Sequence, residues 1–330
     1  MSPRRLLFPV IAMLLVGCQP AVTPSPSVGL RHVTLLLGFQ PDVQFAPFYL
    51  AQQNGLYADE GLDVTIEYKS GADLVRLVAD GQAEFGVTDA TDVMISRTAS
   101  IPIKYAATLY QLFPVALIGG KGSVPADPAE LAGTRIGTPG KFGSSWHALL
   151  ALLDAGGLTA DDVTIREYPQ FNQVDGLLNG DVDLITGFRN NEPLRLAAQG
   201  VDTDLLTVEQ FAPLPGPGVI VGDDLLSSDP DLVQRFISAT VSGMTQVAGD
   251  PQVGVDAAVV AVPTIASDKA TALAVLTATV ELWTQAAGGV SPAIDGGLWQ
   301  KGYETMKRLG FIDGSVPLDE MIVGEIVPSD

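Results

Sequence analysis

Cysteine, histidine and basic residues are the scarce components of this 330-residue sequence. A single cysteine excludes an intramolecular disulfide, and two histidines with one cysteine do not form a metal cluster of ordinary spacing. Catalysis is therefore not expected, although 38 acidic residues leave acid–base carboxylate pairs open. The 18 basic residues leave a formal net charge of −20, which repels phosphate backbones, so nucleic acid is not an expected partner.

Charged residues of both signs are also few, at 17%, whereas hydrophobic residues make up 47% of the chain. This composition is typical of a folded chain with a large core and excludes global disorder. The length predicts about two domains of ordinary size.

The first residues predict export and lipid anchoring. Arg4 and Arg5 precede an apolar run at 6–16 that is too short to span a bilayer as a mature helix. The following "LVGC" ends at Cys18 and resembles the bacterial lipobox, whose cysteine is acylated. We expect residues 1–18 to be a lipoprotein signal peptide and the proline- and serine-rich residues 19–30 to be a flexible tether. The protein would then be anchored through Cys18 on the extracytoplasmic face of the cell membrane; a buried, unmodified cysteine is the alternative.

One pattern of alternating strands and helices occurs twice in the chain. The segment "DDVTIREY" (161–168) corresponds to "LDVTIEY" (62–68), and "LLNGDVDLITG" (177–187) corresponds to "LVADGQAEFGVT" (77–88). The alternation predicts two α/β lobes, each with a mostly parallel sheet flanked by helices. Because such sheets bind ligands beyond the carboxyl ends of their strands, we expect a cleft where the lobes face each other. Chance similarity between unrelated βαβ units is the alternative.

The rest of the chain predicts mainly helices after the structure-breaking "APLPGPG" (212–218). We expect this tail to return and cover the first lobe. The predicted division is 31–118 with 220–330 for lobe 1 and 119–219 for lobe 2. Strands near Val115–Gly120 and Gly218–Gly222 are predicted to form a two-strand hinge.

Three segments carry a resemblance to a known family: "APFYLAQQNGLYADEGLDV", "GVTDATDV" and "GDVDLITGFRNNEP". They resemble solute-binding proteins of ABC importers, in the branch that contains thiamine-pyrimidine-binding proteins and the yeast pyrimidine synthase. Within that branch the sequence most resembles those of riboflavin-binding lipoproteins of phototrophic bacteria. The resemblance implies a type II periplasmic-binding-protein fold, a monomer, an ABC permease as partner, and riboflavin as the transported ligand with no cofactor.

The resemblance leaves two alternatives open. One is transport of a formyl-aminopyrimidine, a thiamine precursor, and the other is a pyrimidine-synthesis enzyme. The family's first loop usually carries a tryptophan, an asparagine and a histidine, where this chain has Phe39, Asp42 and Phe45. These differences argue against a thiamine pyrimidine as ligand. The synthases also use a cysteine cluster that this chain lacks.

The predicted ligand-binding residues are aromatic and polar side chains that the expected fold places at strand ends and helix starts. Aromatic rings there can stack on a flat heteroaromatic ligand, and neutral or acidic polar groups can bond its imide and hydroxyl groups. The set is Phe39, Gln40, Asp42, Phe45, Asp89, Tyr110, Ser144, Trp146, Tyr168, Asn172, Phe188, Asn191 and Glu192. Core packing of the aromatics and turn formation by the Asn and Asp residues are the alternatives.

Two of these rings are predicted to stack on the ligand, Phe45 from lobe 1 and Trp146 from lobe 2. Trp146 lies in "GTPGKFGSSWH" (137–147), a glycine-rich segment that opens a helix predicted to have serine caps. Such a segment can bind an anion through helix amides, but it lacks the pattern of a nucleotide-binding P-loop. The sequence therefore favours a neutral vitamin over a sulfonate or phosphate.

Overall fold

The computed structural model describes residues 29–69, 71–284 and 288–324. The predicted signal peptide, Cys18 and most of the predicted tether lie outside these ranges. In the part of the chain that is described, no helix is both long and apolar enough to cross a membrane.

Within these ranges, ten strands form two sheets of five. The first sheet contains β1 (Arg31–Leu37), β2 (Leu62–Tyr68), β3 (Phe85–Thr88), β4 (Ile103–Thr108) and β10 (Gly218–Gly222). The second contains β5 (Val115–Gly120), β6 (Arg135–Thr138), β7 (Thr164–Glu167), β8 (Leu184–Phe188) and β9 (Thr203–Thr207). The orders are β2-β1-β3-β10-β4 and β7-β6-β8-β5-β9. The strand in the fourth place of each order, β10 in the first sheet and β5 in the second, is the only one that runs antiparallel to its neighbours. This confirms two mostly parallel α/β lobes.

The antiparallel strand of each sheet is the one that the chain enters from the other lobe. β5 follows β4 into the second sheet, and β10 follows β9 back into the first. The chain therefore crosses between the lobes at 109–114 and again at 208–217, and the predicted boundaries at 118/119 and 219/220 fall inside β5 and β10. Both strands begin directly after a proline, Pro114 and Pro217. The crossing segments themselves contain no strand, and the proline that ends each of them cannot donate a hydrogen bond to a sheet.

The repeat in the sequence corresponds to equivalent strands. β2 and β7 each form one edge of their sheet, opposite β4 and β9, and β3 and β8 are the central strands. Glu84, just before β3, accepts a hydrogen bond from the Thr34 amide of β1 at 2.8 Å. Asp183, just before β8, accepts one from the Arg135 amide of β6 at 2.9 Å. The two acids thus have the same role in the two lobes, which confirms the repeat as structural.

Helices flank both sheets. In chain order they are α1 (Ala46–Gln53), α2 (Leu56–Asp59), α3 (Gly71–Ala79), α4 (Ala90–Thr98), α5 (Gly143–Ala155), α6 (Gln173–Leu178), α7 (Glu192–Ala197), α8 (Asp223–Ser228), α9 (Pro230–Gly249), α10 (Pro251–Ala261), α11 (Lys269–Trp283) and α12 (Gly296–Arg308). α11 begins at Lys269, because Asp268 caps it by accepting from the Thr271 amide.

The tail from α8 onward covers the first lobe. Phe236 of α9 stacks on Phe85 of β3, with ring centroids 3.9 Å apart. Trp299 of α12 meets Tyr105 of β4 edge-on at 4.8 Å. All four side chains are buried, and each such pair adds about 0.5–1.5 kcal/mol beyond its area. The tail thus completes the core of the first lobe.

Candidate functional site

A cleft lies between the two sheets at the carboxyl ends of their parallel strands. It contains about 1030 Å³ of empty space, counted out to open solvent. Gly38, Asp89 and Pro139 directly follow β1, β3 and β6, and all three line the cleft. Open α/β sheets bind ligands at this edge.

Aromatic rings form much of the cleft wall. Phe39, Phe45 and Tyr110 come from the first lobe and the first crossing, and Phe142, Phe171 and Phe188 from the second lobe. Phe39 and Phe171 meet edge-on across the cleft, with ring centroids 5.1 Å apart. Phe171 has a left-handed backbone, with φ at 57°, which costs a bulky residue about 1–2 kcal/mol. Such strain is found where a site requires one particular side-chain position.

Two carboxyl groups of the first lobe line the cleft one helical turn apart. Asp89, at the start of α4, accepts a hydrogen bond from the Ser144 amide of the second lobe at 2.8 Å. Asp92 accepts one from the Thr88 hydroxyl at 3.1 Å. Burial raises the pKa of both groups, and the charge of Asp89 helps to raise the pKa of Asp92 to about 8. Asp92 can therefore donate a hydrogen bond at neutral pH.

The second lobe contributes one carboxyl group, Glu192 at the start of α7. Its Oε2 accepts from the Phe188 amide at 2.8 Å, and burial raises its pKa to about 7. The side chain lies against Gly187, where an added Cβ would approach Glu192 Cγ to 2.9 Å. Glycine at 187 is therefore what leaves room for the carboxyl group.

Amide side chains complete the polar lining. Asn190 donates from Nδ2 to Gln44 Oε1 at 2.8 Å and to Thr279 Oγ1 at 2.7 Å, which fixes Gln44 in the cleft wall. Gln173 donates to the Thr186 carbonyl at 3.3 Å, whereas its buried Oε1 has no hydrogen-bond partner among the described residues. A buried acceptor left unpaired costs about 1–3 kcal/mol, so this oxygen can gain by accepting from a ligand.

Polar contacts outside the cleft also join the lobes. They are Arg195 to Asp42 at 2.7 Å, His147 to Thr91 at 2.9 Å and Arg308 to Asp154 at 2.7 Å. Burial lowers the pKa of His147 to about 4, so this contact involves a neutral ring at neutral pH. Asp42 is buried whereas Arg308 and Asp154 reach solvent, so the Asp42 pair is the less screened of these two ion pairs.

The structure brings together at the cleft eight of the predicted ligand-binding residues. They are Phe39, Phe45, Asp89, Tyr110, Ser144, Phe188, Asn191 and Glu192. They come from both lobes and from the first crossing, so the strand-end rule located the cleft correctly.

Five predicted residues do not line the cleft: Gln40, Asp42, Trp146, Tyr168 and Asn172. Gln40 and Asp42 border a separate polar hollow beside Arg195. Asp42 caps the short turn that follows it, accepting from the Gln44 amide at 3.1 Å, and also binds Arg195. Its hydrogen-bonding capacity is thus used within the protein. Asn172 is exposed before α6.

Trp146 and Tyr168 lie in or beside the core of the second lobe. Trp146 is 9% exposed and belongs to the apolar cluster under α5, because Ser144 and Ser145 take the cleft-facing side of the helix start. The Tyr168 ring lies against Gly176, where an added Cβ would overlap the ring. Core packing, the alternative for these aromatics, is what the structure shows for both.

The predicted serine caps of α5 are not present. Phe142 occupies the N-cap position without a side-chain hydrogen bond. Asp89 bonds the Ser144 amide instead, from the other lobe. A carboxylate at a helix start is favoured by the helix dipole as well as by the bond. The start of α5 therefore depends on a contact that no local pattern shows.

Five polar lining residues are missing from the predicted set: Gln44, Thr88, Asp92, Ser145 and Gln173. Asp92 follows Asp89 by one helical turn, and that spacing is a signal that would have found it. Gln44 and Gln173 carry no comparable signal, because a glutamine in an aromatic-rich turn or at a helix start has no distinct pattern.

Comparison with known proteins defines the family of the chain. The family model described as NMT1/THI5 like matches residues 42–253. The chain belongs to the NMT1/THI5-like family. Riboflavin-binding protein RibY of Chloroflexus aurantiacus is similar to it, at 33% identity over 97% of this chain and 96% of that protein. The 4-amino-5-hydroxymethyl-2-methylpyrimidine phosphate synthase of Legionella pneumophila is 27% identical over 67% of this chain and 71% of that protein.

Solved structures show that this NMT1/THI5-like chain has the fold of periplasmic binding proteins. The periplasmic aliphatic sulphonate binding protein SsuA from Escherichia coli matches 89% of this chain and 92% of its own, with a TM-score of 0.72 and 11% identity. At that identity the match defines the two-lobed fold and not the ligand.

Proposed function

We propose that the protein is a lipid-anchored, extracytoplasmic solute-binding protein of an ABC importer, and that it binds riboflavin in the cleft and delivers it to the permease. The observation that carries the proposal is the cleft itself, lined by aromatic rings from both lobes. A flat ring system held between such side chains gains about 1–3 kcal/mol per stack.

The polar lining also suits riboflavin. A flavin offers an imide N–H, ring carbonyls and ribityl hydroxyls. Gln173 Oε1 and the Asp89 carboxyl can accept from the N–H and hydroxyl groups, whereas a protonated Asp92 or Glu192 can donate to a carbonyl. The similarity to RibY over nearly the whole chain supports the same ligand.

Titration of the purified protein with riboflavin tests this ligand. We expect flavin fluorescence to be quenched on binding, because the Tyr110 ring in the cleft wall can donate an electron to the excited flavin ring. Calorimetry should give one riboflavin per chain. A formyl-aminopyrimidine is the competitor, and tight binding of this compound with no response to riboflavin would reverse the assignment.

Binding of a thiamine-precursor pyrimidine is the second candidate, favoured by the synthases among the relatives. Phe45, which stands at the family's histidine position, lines the cleft as an apolar wall. Cys18, the chain's only cysteine, precedes the folded lobes, so the cysteine cluster of the synthases has no counterpart here. We therefore place a binding protein ahead of a pyrimidine-synthesis enzyme.

Anchoring through Cys18 is tested by Cys18→Ala, with Ser27→Ala in the same tether as the control. We expect the first variant to leave the membrane fraction and the second to stay there, since acylation requires the thiol. Both should bind riboflavin normally. Membrane partitioning that does not change in Cys18→Ala would refute the anchor.

A further inference from the structure

The ionisable groups that line the cleft are three carboxyl groups and the phenol of Tyr110. Asp89, Asp92 and Glu192 contribute the carboxyl groups. Among the described residues of the lining there is no lysine, arginine or histidine. An anion that entered would leave water for a cavity with no counter-charge, beside carboxyl groups that are neutral below their raised pKa values and negative above them, which is unfavourable in a medium of low dielectric constant.

Basic residues close to the lining in sequence are engaged elsewhere. The contacts are Arg195 to Asp42 at 2.7 Å, Arg189 to Glu209 at 2.7 Å, and Lys141 Nζ at 5.8 Å from the Trp146 ring centroid. The two arginines are held by carboxylates, so moving either one to a ligand anion would break an existing ion pair.

The start of α5 is the one feature of the cleft that could attract an anion, because free amides at a helix start bind negative charge. Asp89 already accepts from the Ser144 amide there, at 2.8 Å. The protein's own carboxyl group thus already uses one of the amides that a phosphate or sulfonate would need.

A second observation points to the kind of ligand group that fits. Gln173 is 2% exposed, lines the cleft, and has an Oε1 with no partner among the described residues. This oxygen is an acceptor, like the carboxylates. The lining therefore offers acceptors to N–H and O–H groups and offers no cation to an acid.

We propose that the cleft selects an uncharged ligand rich in hydrogen-bond donors and rejects its phosphorylated or sulfonated counterparts. The inference rests on the proposed function for its choice of ligand and goes beyond it in assigning a selection to the three carboxyl groups. Riboflavin would be bound, and riboflavin 5′-phosphate, which carries the same ring, would be refused.

The experiment is calorimetric titration of the full chain with riboflavin, its 5′-phosphate and its neutral 5′-acetate. The acetate is the control for added bulk at the same hydroxyl. We expect the acetate to bind like riboflavin and the phosphate to bind at least about tenfold more weakly. In the isosteric double variant Asp92→Asn, Glu192→Gln, titrated at about pH 8.5 where both acids of the parent protein are ionised, the ratio of the two affinities should shrink by at least about threefold, whatever happens to riboflavin binding itself.

The outcomes separate this inference from the proposed ligand. Equal affinity for riboflavin and its phosphate would overturn the selection while leaving the ligand intact, as would an acetate as weak as the phosphate. If riboflavin does not bind, the proposed ligand is wrong. The selection is then tested by comparing the affinities of 4-amino-5-hydroxymethyl-2-methylpyrimidine and its phosphate. Binding of taurine, or of neither neutral compound, would overturn both.

Discussion

The first lobe has Asp89 directly after its central strand β3, whereas the equivalent strand β8 of the second lobe ends with Phe188. Each residue stands five positions beyond a paired acid, Glu84 in one lobe and Asp183 in the other. The two acids keep the same hydrogen bond to a neighbouring strand, but the residues that reach the cleft differ in chemistry. The acids that bond to the neighbouring strand are repeated, and the residues at the cleft have diverged.

This difference gives the cleft two unlike walls. The first lobe presents Asp89 and Asp92 beside its aromatic rings, and the second presents Phe142, Phe171 and Phe188 with one carboxyl group. A ligand that touches both walls must combine a flat apolar face with polar edges. Each of the following experiments changes one wall, the core behind a wall, or one contact between the lobes.

The largest expected effect is on the core of the second lobe. Trp146→Ala should lower the free energy of unfolding by about 3–5 kcal/mol, because a buried indole leaves a cavity. Phe142→Ala, four residues earlier at the cleft lip and 48% exposed, is the matched control, with an expected loss under about 1 kcal/mol. Urea unfolding measures both. Equal losses would mean that Trp146 does not belong to the core.

The buried acids of both walls predict a fall in stability as pH rises. Burial raises the folded-state pKa of Glu192 to about 7 and of Asp92 to about 8, so the folded protein binds more protons than the unfolded chain below these values. These two acids then contribute most to stability in mild acid, and stability falls by about 3 kcal/mol or more between about pH 5 and pH 8. The lowered pKa of His147 acts in the opposite sense below about pH 6.5 and offsets part of this change. The charged or titratable groups facing Glu192 are Arg195 and Asp42, and Asp89 faces Asp92.

Isosteric variants assign this pH dependence to one wall or the other. Glu192→Gln should flatten the unfolding curve mainly below about pH 7, and Asp92→Asn should flatten it up to about pH 8. Denaturant unfolding at a series of pH values gives the curves. A parent protein whose stability is constant across this range would contradict the placement of both acids.

Loss of one ring from each wall should weaken binding to a similar degree. Phe45→Ala and Phe188→Ala are each expected to reduce riboflavin affinity by about 1–3 kcal/mol, roughly 5- to 150-fold. Fluorescence titration measures the affinity, and a thermal melt without ligand checks that the fold is kept. If only one of the two variants binds more weakly, the ligand depends on one wall and the comparison of the lobes fails.

The smallest effect concerns the contact outside the cleft. Arg195→Met should weaken riboflavin binding by about 1 kcal/mol or less, because its half-exposed ion pair with Asp42 favours the closed arrangement without touching the ligand. Arg308→Met, which breaks the more exposed pair with Asp154, is the control and should change affinity less. An additive double-mutant cycle between Arg195→Met and Asp42→Asn would show that this pair has no part in closure.

The sequence was sufficient for the lobes, their repeat and the position of the cleft, because strand periodicity and the acids at 84 and 183 are local signals. It was not sufficient for the orientation of single side chains. Trp146 and Ser144 are two residues apart on α5, and only the packing of that helix decides which one faces the cleft. Asp42 likewise has its partner Arg195 in the other lobe, at a separation that no spacing rule covers.

The structure of the protein crystallised with riboflavin tests the central claim most directly. The account predicts the flavin ring in the cleft, in contact with Phe45 of the first lobe and Phe188 of the second, and with Gln173 Oε1 accepting from an N–H or O–H of the ligand. A flavin bound outside the cleft, or one that contacts a single lobe, would contradict it.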